Sequence, residues 1–126
     1  GIGLGRLGGL SILDSEAISQ EITYAVTTTQ KHCLEDLDNL AWGNLGRIET
    51  LLVASQTLNR PDLLDFGLQA TTHLVQQAQL RGRFNLCAAS VPVAYNPGFF
   101  QGTTGIGYQL LRIAYPHLLP SILLWE

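Results

Sequence analysis

Charged side chains are scarce in this chain of 126 residues. Lys, Arg, Asp and Glu together make up 13 % of the sequence, about half of the ~25 % that is usual for a soluble domain. The net charge of −3 supplies no basic surface, which excludes nucleic acid and anionic lipid as expected partners. The apolar fraction of 46 % is ordinary. Because few residues suit contact with water, we expect more protein to cover part of the surface.

Cysteine, methionine and long apolar runs are also lacking. Two cysteines, Cys33 and Cys87, do not make a disulfide framework. No apolar run reaches the ~18–20 residues that cross a bilayer, and no signal-peptide pattern opens the chain. These absences predict a cytoplasmic protein without a membrane partner. The chain has no methionine and position 1 falls inside a repeat, so we expect residues 1–126 to be a fragment of a longer protein.

Glycine, by contrast, forms a signature that occurs three times, each time before a predicted helix. Glycine permits a backbone to approach its neighbours closely, and repeats that begin helices in this way indicate a helical array around an axis. The sequence therefore predicts an all-α fold, part of an α/α toroid in which glycine turns open the inner helices. The glycines expected to be structural are Gly1, Gly43, Gly46, Gly102, Gly105 and Gly107.

The spacing of apolar residues predicts four helices. One runs over residues 16–31 after a cap at Asp14 or Ser15, a second over about 45–58, a third from Pro61 to about 81, and a last one over about 103–115. The acidic connector 32–40 is expected to be solvated. Short extended pieces are expected at 84–87 and 91–95, and the apolar tail 118–126 is expected to pack against the body.

Three motifs resemble the lanthionine-cyclase domain of class II lanthipeptide synthetases, in its cyanobacterial type. In that family Cys-His-Gly or Cys-Cys-Gly precedes Asn-Leu-Gly-Arg, and here Ala41-Trp42-Gly43 precedes Asn44-Leu45-Gly46-Arg47. The segments 96–108 and 120–126 resemble the closing motif and the terminus of those enzymes. The resemblance implies an α/α toroid with a central zinc ion. There, zinc activates a peptide cysteine, which adds to a dehydrated residue and forms a thioether ring.

The residues that the family uses for zinc do not carry over. The adjacent pair of ligands maps to Ala41 and Trp42, and the first ligand cysteine would lie before Gly1. A zinc site needs three or four converging ligands. We therefore predict no bound zinc, no catalytic residue and no activity of the chain alone. His32, Cys33 and Cys87 stay open as replacement ligands, although a solvated histidine and a partly buried thiol are the favoured interpretation.

Trp42 has two interpretations. The favoured one is that its indole fills the volume of the absent metal site, because aromatic rings bury much area. The other is that Trp42 lines a peptide-binding surface, with Asn44 and Arg47 beside it.

Three functions follow, in this order of preference. The first is a non-catalytic cyclase-like module that binds a precursor peptide. The second is a self-assembling module in which two copies, as a homo-oligomer, close a toroid. The third is a part of a cyclase that another chain, carrying the missing part of the toroid, completes.

Overall fold

A computed structural model describes residues 1–86 and 95–125. Within these residues the chain is helical and contains no strand, so the all-α prediction is confirmed, while the arrangement as part of an α/α toroid stays a prediction. Residues 84–86 are not a strand, and residues 87 and 91–94 of the expected extended pieces lie outside the described part. The elements are α1 (Ile2–Gly9), α2 (Glu16–Lys31), α3 (Asn44–Thr57), α4 (Pro61–Arg81), α5 (Thr103–Ala114) and a 3₁₀ turn (Ile122–Leu124).

The helix boundaries follow their capping residues. The Ser15 hydroxyl accepts a hydrogen bond from the Ile18 amide (3.3 Å), which caps α2 as predicted. Pro61 occupies the first turn of α4, where its missing amide hydrogen costs nothing. Gly82 ends α4 in the left-handed conformation, at φ 71°. Local sequence signals therefore set where these helices begin and end.

Helix α3 is the centre of the molecule. It packs against α1, α2, α4 and α5, and 11 of its 14 residues are buried. Its buried residues lie around nearly the whole circumference of the helix. Burial on all sides is typical of a helix that occupies the interior of a helical array. The buried apolar residues of α3 are Leu45, Ile48, Leu51, Leu52, Val53 and Ala54.

A buried polar cluster joins α3 to α5 and to the C-terminal tail. The Glu49 carboxylate is 1 % exposed and accepts hydrogen bonds from Gln109 Nε2 (2.5 Å), Arg112 Nε (2.8 Å) and Ser121 Oγ (2.6 Å). Arg112 also donates to the Leu119 carbonyl. A buried charge is tolerated when it is paired and hydrogen-bonded in this way. The cluster therefore fixes the register between two helices and the tail.

The tail packs back on the body, as the sequence predicted. Leu123 and Leu124 pack against the hydrophobic core, and the Tyr108 hydroxyl donates to the Pro120 carbonyl (2.9 Å). Within residues 1–86 and 95–125, no helix has the combination of length and apolarity needed to cross a bilayer.

Four of the signature glycines lie where no side chain fits. An added Cβ at Gly43 would meet the backbone of Asn39 and Leu37, and one at Gly46 would overlap the Leu40 carbonyl. At Gly102 and Gly105 the overlap would be with backbone atoms of the turn that precedes α5. An added Cβ at Gly1 or Gly107 would meet nothing within 4 Å.

We expect Gly105→Ala to destabilise the fold by about 1–3 kcal/mol, because its Cβ would overlap the Phe99 carbonyl and backbone atoms cannot move aside cheaply. The matched control is Gly107→Ala in the same helix, where the space is open. Alanine there should stabilise by about 0.5–1 kcal/mol through helix propensity. Urea unfolding of dilute protein measures both. Equal free energies of unfolding for the two variants would contradict the close packing of the turn.

Candidate functional site

The loop that enters α3 is shaped by Asn39. Its side-chain carbonyl accepts hydrogen bonds from the amides of Trp42 (3.1 Å) and Gly43 (3.2 Å). Asparagine supports turns by bonding nearby backbone in this way. Gly43 then serves as the N-cap of α3 without a side-chain cap of its own. Asn39 therefore fixes the backbone at Trp42 and Gly43.

Asn44 ties the connector to α3. Its amide nitrogen donates to the Glu35 carbonyl (2.8 Å) and to Asp38 Oδ1 (2.9 Å), and its oxygen accepts from the Glu35 amide (2.7 Å). The residue is 3 % exposed. The structure therefore places Asn44 in the interior, where it holds the connector, and we leave it out of any surface that faces a peptide.

Asp38 contradicts the expectation of a solvated connector. It is 2 % exposed and accepts from the Asn85 amide (2.7 Å) and from Arg81 Nη2 (3.4 Å), in addition to Asn44. Glu35 and Asp36 are exposed as expected. A buried carboxylate is stable only with several hydrogen-bonding partners. Asp38 has three of them: Asn44, Arg81 and Asn85. The connector is therefore a hydrogen-bonded structural element, with Asp38 at its centre.

Two glycine turns lie side by side: one contains Gly43 and Gly46 at the start of α3, and the other contains Gly102 and Gly105 at the start of α5. The Ala41 amide donates to the Phe100 carbonyl (2.9 Å), and an added Cβ at Gly105 would lie 3.5 Å from the Leu40 Cβ. This contact brings the start of α3 beside the start of α5. Both turns carry an aromatic side chain that is open to solvent: Trp42 is 58 % exposed and Phe100 is 40 % exposed.

The exposure of Trp42 corrects the favoured prediction for this residue. An indole that filled the volume of an absent metal site would be buried, whereas more than half of this side chain is open to solvent. The local cause is the Asn39 turn, which fixes the backbone at Trp42 in a loop ahead of α3.

Arg47 lies at the edge of the same region. Its Nη2 pairs with Glu35 Oε2 (2.6 Å) and its Nη1 donates to Asn44 Oδ1 (3.2 Å). The side chain is 27 % exposed. Its guanidinium is therefore held in place by the connector and presents only part of its surface to solvent.

Zinc does not fit the residues at this site. Ala41 and Trp42 offer no ligating atom, and residues 1–86 and 95–125 contain no group of three or more His, Cys, Asp or Glu side chains that could hold a metal ion. His32 Nδ1 lies 3.1 Å from Glu35 Oε1 on the surface, while Cys33 is buried. Cys87 lies outside the described residues.

The thiol of Cys33 is held in its neutral form. Burial raises its pKa from 9.0 to about 11, and the nearby positive charge of Arg47 offsets only part of this effect. Thiolate, not thiol, is the metal ligand and the nucleophile. The environment of Cys33 therefore favours a structural role in the core.

The hydrogen-bonded connector was not found from the sequence. Asn39, four residues before Gly43, is a local turn signal that could have been recognised. The contact from Asp38 to Asn85 spans 47 residues, and no local pattern indicates it.

Native Cys33 should react with iodoacetamide at pH 8 at least about a hundredfold more slowly than in unfolded protein, because its pKa is raised by two units and its sulfur is buried. Mass spectrometry of the peptide that contains Cys33 measures the rate separately from that of Cys87. The same protein in denaturant is the control. Similar rates in the two states would contradict a buried neutral thiol.

The chain was compared with protein-family models, curated proteins and solved structures. Residues 1–124 match the model of the family described as lanthionine synthetase C-like protein. Neither the curated proteins nor the solved structures gave a significant match. The family match covers nearly all of the chain and includes the glycine turns and the connector described above. The chain therefore belongs to the lanthionine synthetase C-like protein family.

Proposed function

We propose that this chain is a lanthionine cyclase-like module that binds a precursor peptide but does not form thioether rings by itself. The family match supports the cyclase-like scaffold. The observation that carries the loss of activity is the pair Ala41 and Trp42, which stands where the class II family has zinc ligands. The class II, cyanobacterial-type origin and the cytoplasmic location are parts of the same proposal.

The peptide surface that we propose is formed by the aromatic side chains of the two glycine turns. Trp42 and Phe100 are exposed on adjacent loops joined by the bond from the Ala41 amide to the Phe100 carbonyl. Aromatic rings give a binding surface a large contact area at a small cost in conformational entropy. Arg47 adds a donor group at the edge, although Glu35 already holds its charge. The surface therefore suits an apolar or aromatic peptide segment.

The chemistry of active family members has no counterpart among these residues. Those enzymes use zinc to convert a peptide cysteine to its thiolate. Ala41 and Trp42 provide no atom for that ion, and the buried Cys33 is neutral. We therefore assign this site to peptide binding and assign no thiol activation to it.

A second candidate is a cyclase that another chain completes. The scarcity of charge, at 13 % of residues, favours coverage by more protein. A partner that brought its own ligands would still meet Ala41 and Trp42 here. It would have to supply every ligand itself, so we prefer the non-catalytic module.

The test is binding of a fluorescein-labelled linear peptide that contains cysteine, dehydrobutyrine and an aromatic residue, followed by fluorescence anisotropy. We expect micromolar affinity and a loss of at least about fivefold in Trp42→Ala, since aromatic anchors dominate small interfaces. The control is Trp125→Ala, which removes an indole that is also exposed. Equal affinities of Trp42→Ala and wild type would contradict the proposed surface.

The same mixture tests the absence of activity. After incubation with added zinc, the peptide thiol should still react fully with N-ethylmaleimide, because no thioether has formed. Protection of the thiol from alkylation, with the protein at catalytic amounts, would show ring formation and would refute the proposal.

A further inference from the structure

Helix α1 has little helical stability of its own. Four of its eight residues are glycine, which is the least favourable residue in a helix after proline. Gly1 at its N-cap has no side chain that could accept a hydrogen bond, and its first turn contains no acidic residue. A helix of this length is marginal by itself in water. Contacts with the rest of the chain must therefore keep α1 helical.

Three elements supply those contacts. Helix α1 packs against α2, against α3 and against the 3₁₀ turn of the tail. On the α2 side, an added Cβ at Gly3 would lie 2.6 Å from the Ala25 Cβ. On the tail side, an added Cβ at Gly8 would lie 3.0 Å from Leu124 Cδ2. The glycines that weaken α1 as an isolated helix thus let its neighbours approach it closely, and α1 depends on those neighbours.

The tail is also anchored to α3 and α5. Ser121 is fully buried, and its hydroxyl donates to Glu49 Oε1 (2.6 Å). Arg112 on α5 donates to the Leu119 carbonyl. Beyond this polar anchor the apolar end of the tail packs on the hydrophobic core and reaches α1. The tail therefore connects α1, near the beginning of the described chain, to α5.

We propose that α1 and the tail (residues 119–125) open and close together as one cooperative unit, at a lower free energy than the rest of the fold needs to unfold. Proteins open locally in such units, and the units with the weakest internal stability open most often. Helix α1 meets this condition because its own sequence disfavours the helix. The contact between Gly8 and Leu124 couples its opening to that of the tail.

The opening has a consequence for the surface of the molecule. Helix α1 forms one wall of a groove of about 580 Å³, through Ile2 and Leu4, and Tyr24 of α2 lines the other side. When the unit opens, this wall is lost, and Leu4 and Leu7, which are both buried, become accessible to water. The tail thus controls whether the groove is formed. This inference does not depend on the peptide surface at Trp42.

Hydrogen exchange, followed residue by residue by NMR, tests the coupling from the tail side. In the wild type we expect the amides of α1 and of the tail to exchange at least about tenfold faster than those of α3. In Leu124→Ala the α1 amides should exchange at least about fivefold faster still, because the contact with Gly8 is lost. The matched control is Leu118→Ala, at a leucine that is 77 % exposed, which should leave α1 exchange unchanged.

A substitution in α1 tests the coupling from the other side. Gly5→Ala adds a Cβ that meets nothing within 4 Å, so it should stabilise α1 through helix propensity and slow its exchange about threefold. The amides of Leu124 and Trp125 in the tail should slow by the same factor, because coupling between two sites is reciprocal. The matched control is Gly107→Ala on α5, also in open space. It should leave exchange in both α1 and the tail unchanged.

Three results would overturn the proposal. The first is exchange in α1 as slow as in α3, which would mean that α1 opens only when the whole fold unfolds. The second is α1 exchange that Leu124→Ala leaves at the wild-type rate. The third is tail exchange that Gly5→Ala does not slow, or that Gly107→Ala slows equally, because either result would show that the tail does not open together with α1.

Discussion

The contact between the two glycine turns is the constraint on which the rest of this structure depends. The Ala41 amide reaches the Phe100 carbonyl, and the backbone lies so close at Gly46 and Gly105 that no side chain would fit. These close approaches lie within each turn and require glycine, while the bond from Ala41 to Phe100 joins the two turns and brings the starts of α3 and α5 together. The same contact places Trp42 and Phe100 on neighbouring loops. The surface that we assign to peptide binding is therefore a consequence of backbone packing.

The buried polar cluster around Glu49 also joins α3 to α5. Glu49 on α3 binds Gln109 and Arg112 on α5 and also Ser121 in the tail. Loss of one partner of a buried ion pair leaves the other charge uncompensated, which costs about 3–5 kcal/mol in other proteins. Close backbone contacts therefore hold the glycine turns in place, while the hydrogen bonds of the buried Glu49 carboxylate hold α5 and the tail. Helix α5 is therefore held at its start by the turn contact and along its buried face by Glu49.

Local signals predicted α2, α3, α4 and α5, whereas α1 (Ile2–Gly9) was not among the helices placed by apolar spacing. Ser15, Pro61 and Gly82 mark helix ends through their own chemistry, so these boundaries could be predicted from the sequence. The burial of Asp38 could not, because its partners Arg81 and Asn85 lie more than 40 residues away.

The candidate site was harder to predict than the helices. The pairing of Glu49 with Arg112 spans 63 residues, and no local pattern indicates it. For Trp42, the motif resemblance in the sequence pointed to the position, but only the structure shows that the indole is exposed.

The chain belongs to the lanthionine synthetase C-like protein family, and we propose that it lacks the residues for zinc chemistry. The family match covers residues 1–124, and we propose that Ala41 and the exposed Trp42 stand where the class II resemblance would place the ligand pair. The most direct measurement is the zinc content of the protein, purified from zinc-supplemented culture and analysed by inductively coupled plasma mass spectrometry. We expect less than about 0.1 zinc per chain, because a stable site needs at least three converging ligands. Zinc close to one per chain would contradict the account and would require ligands other than the residues described here.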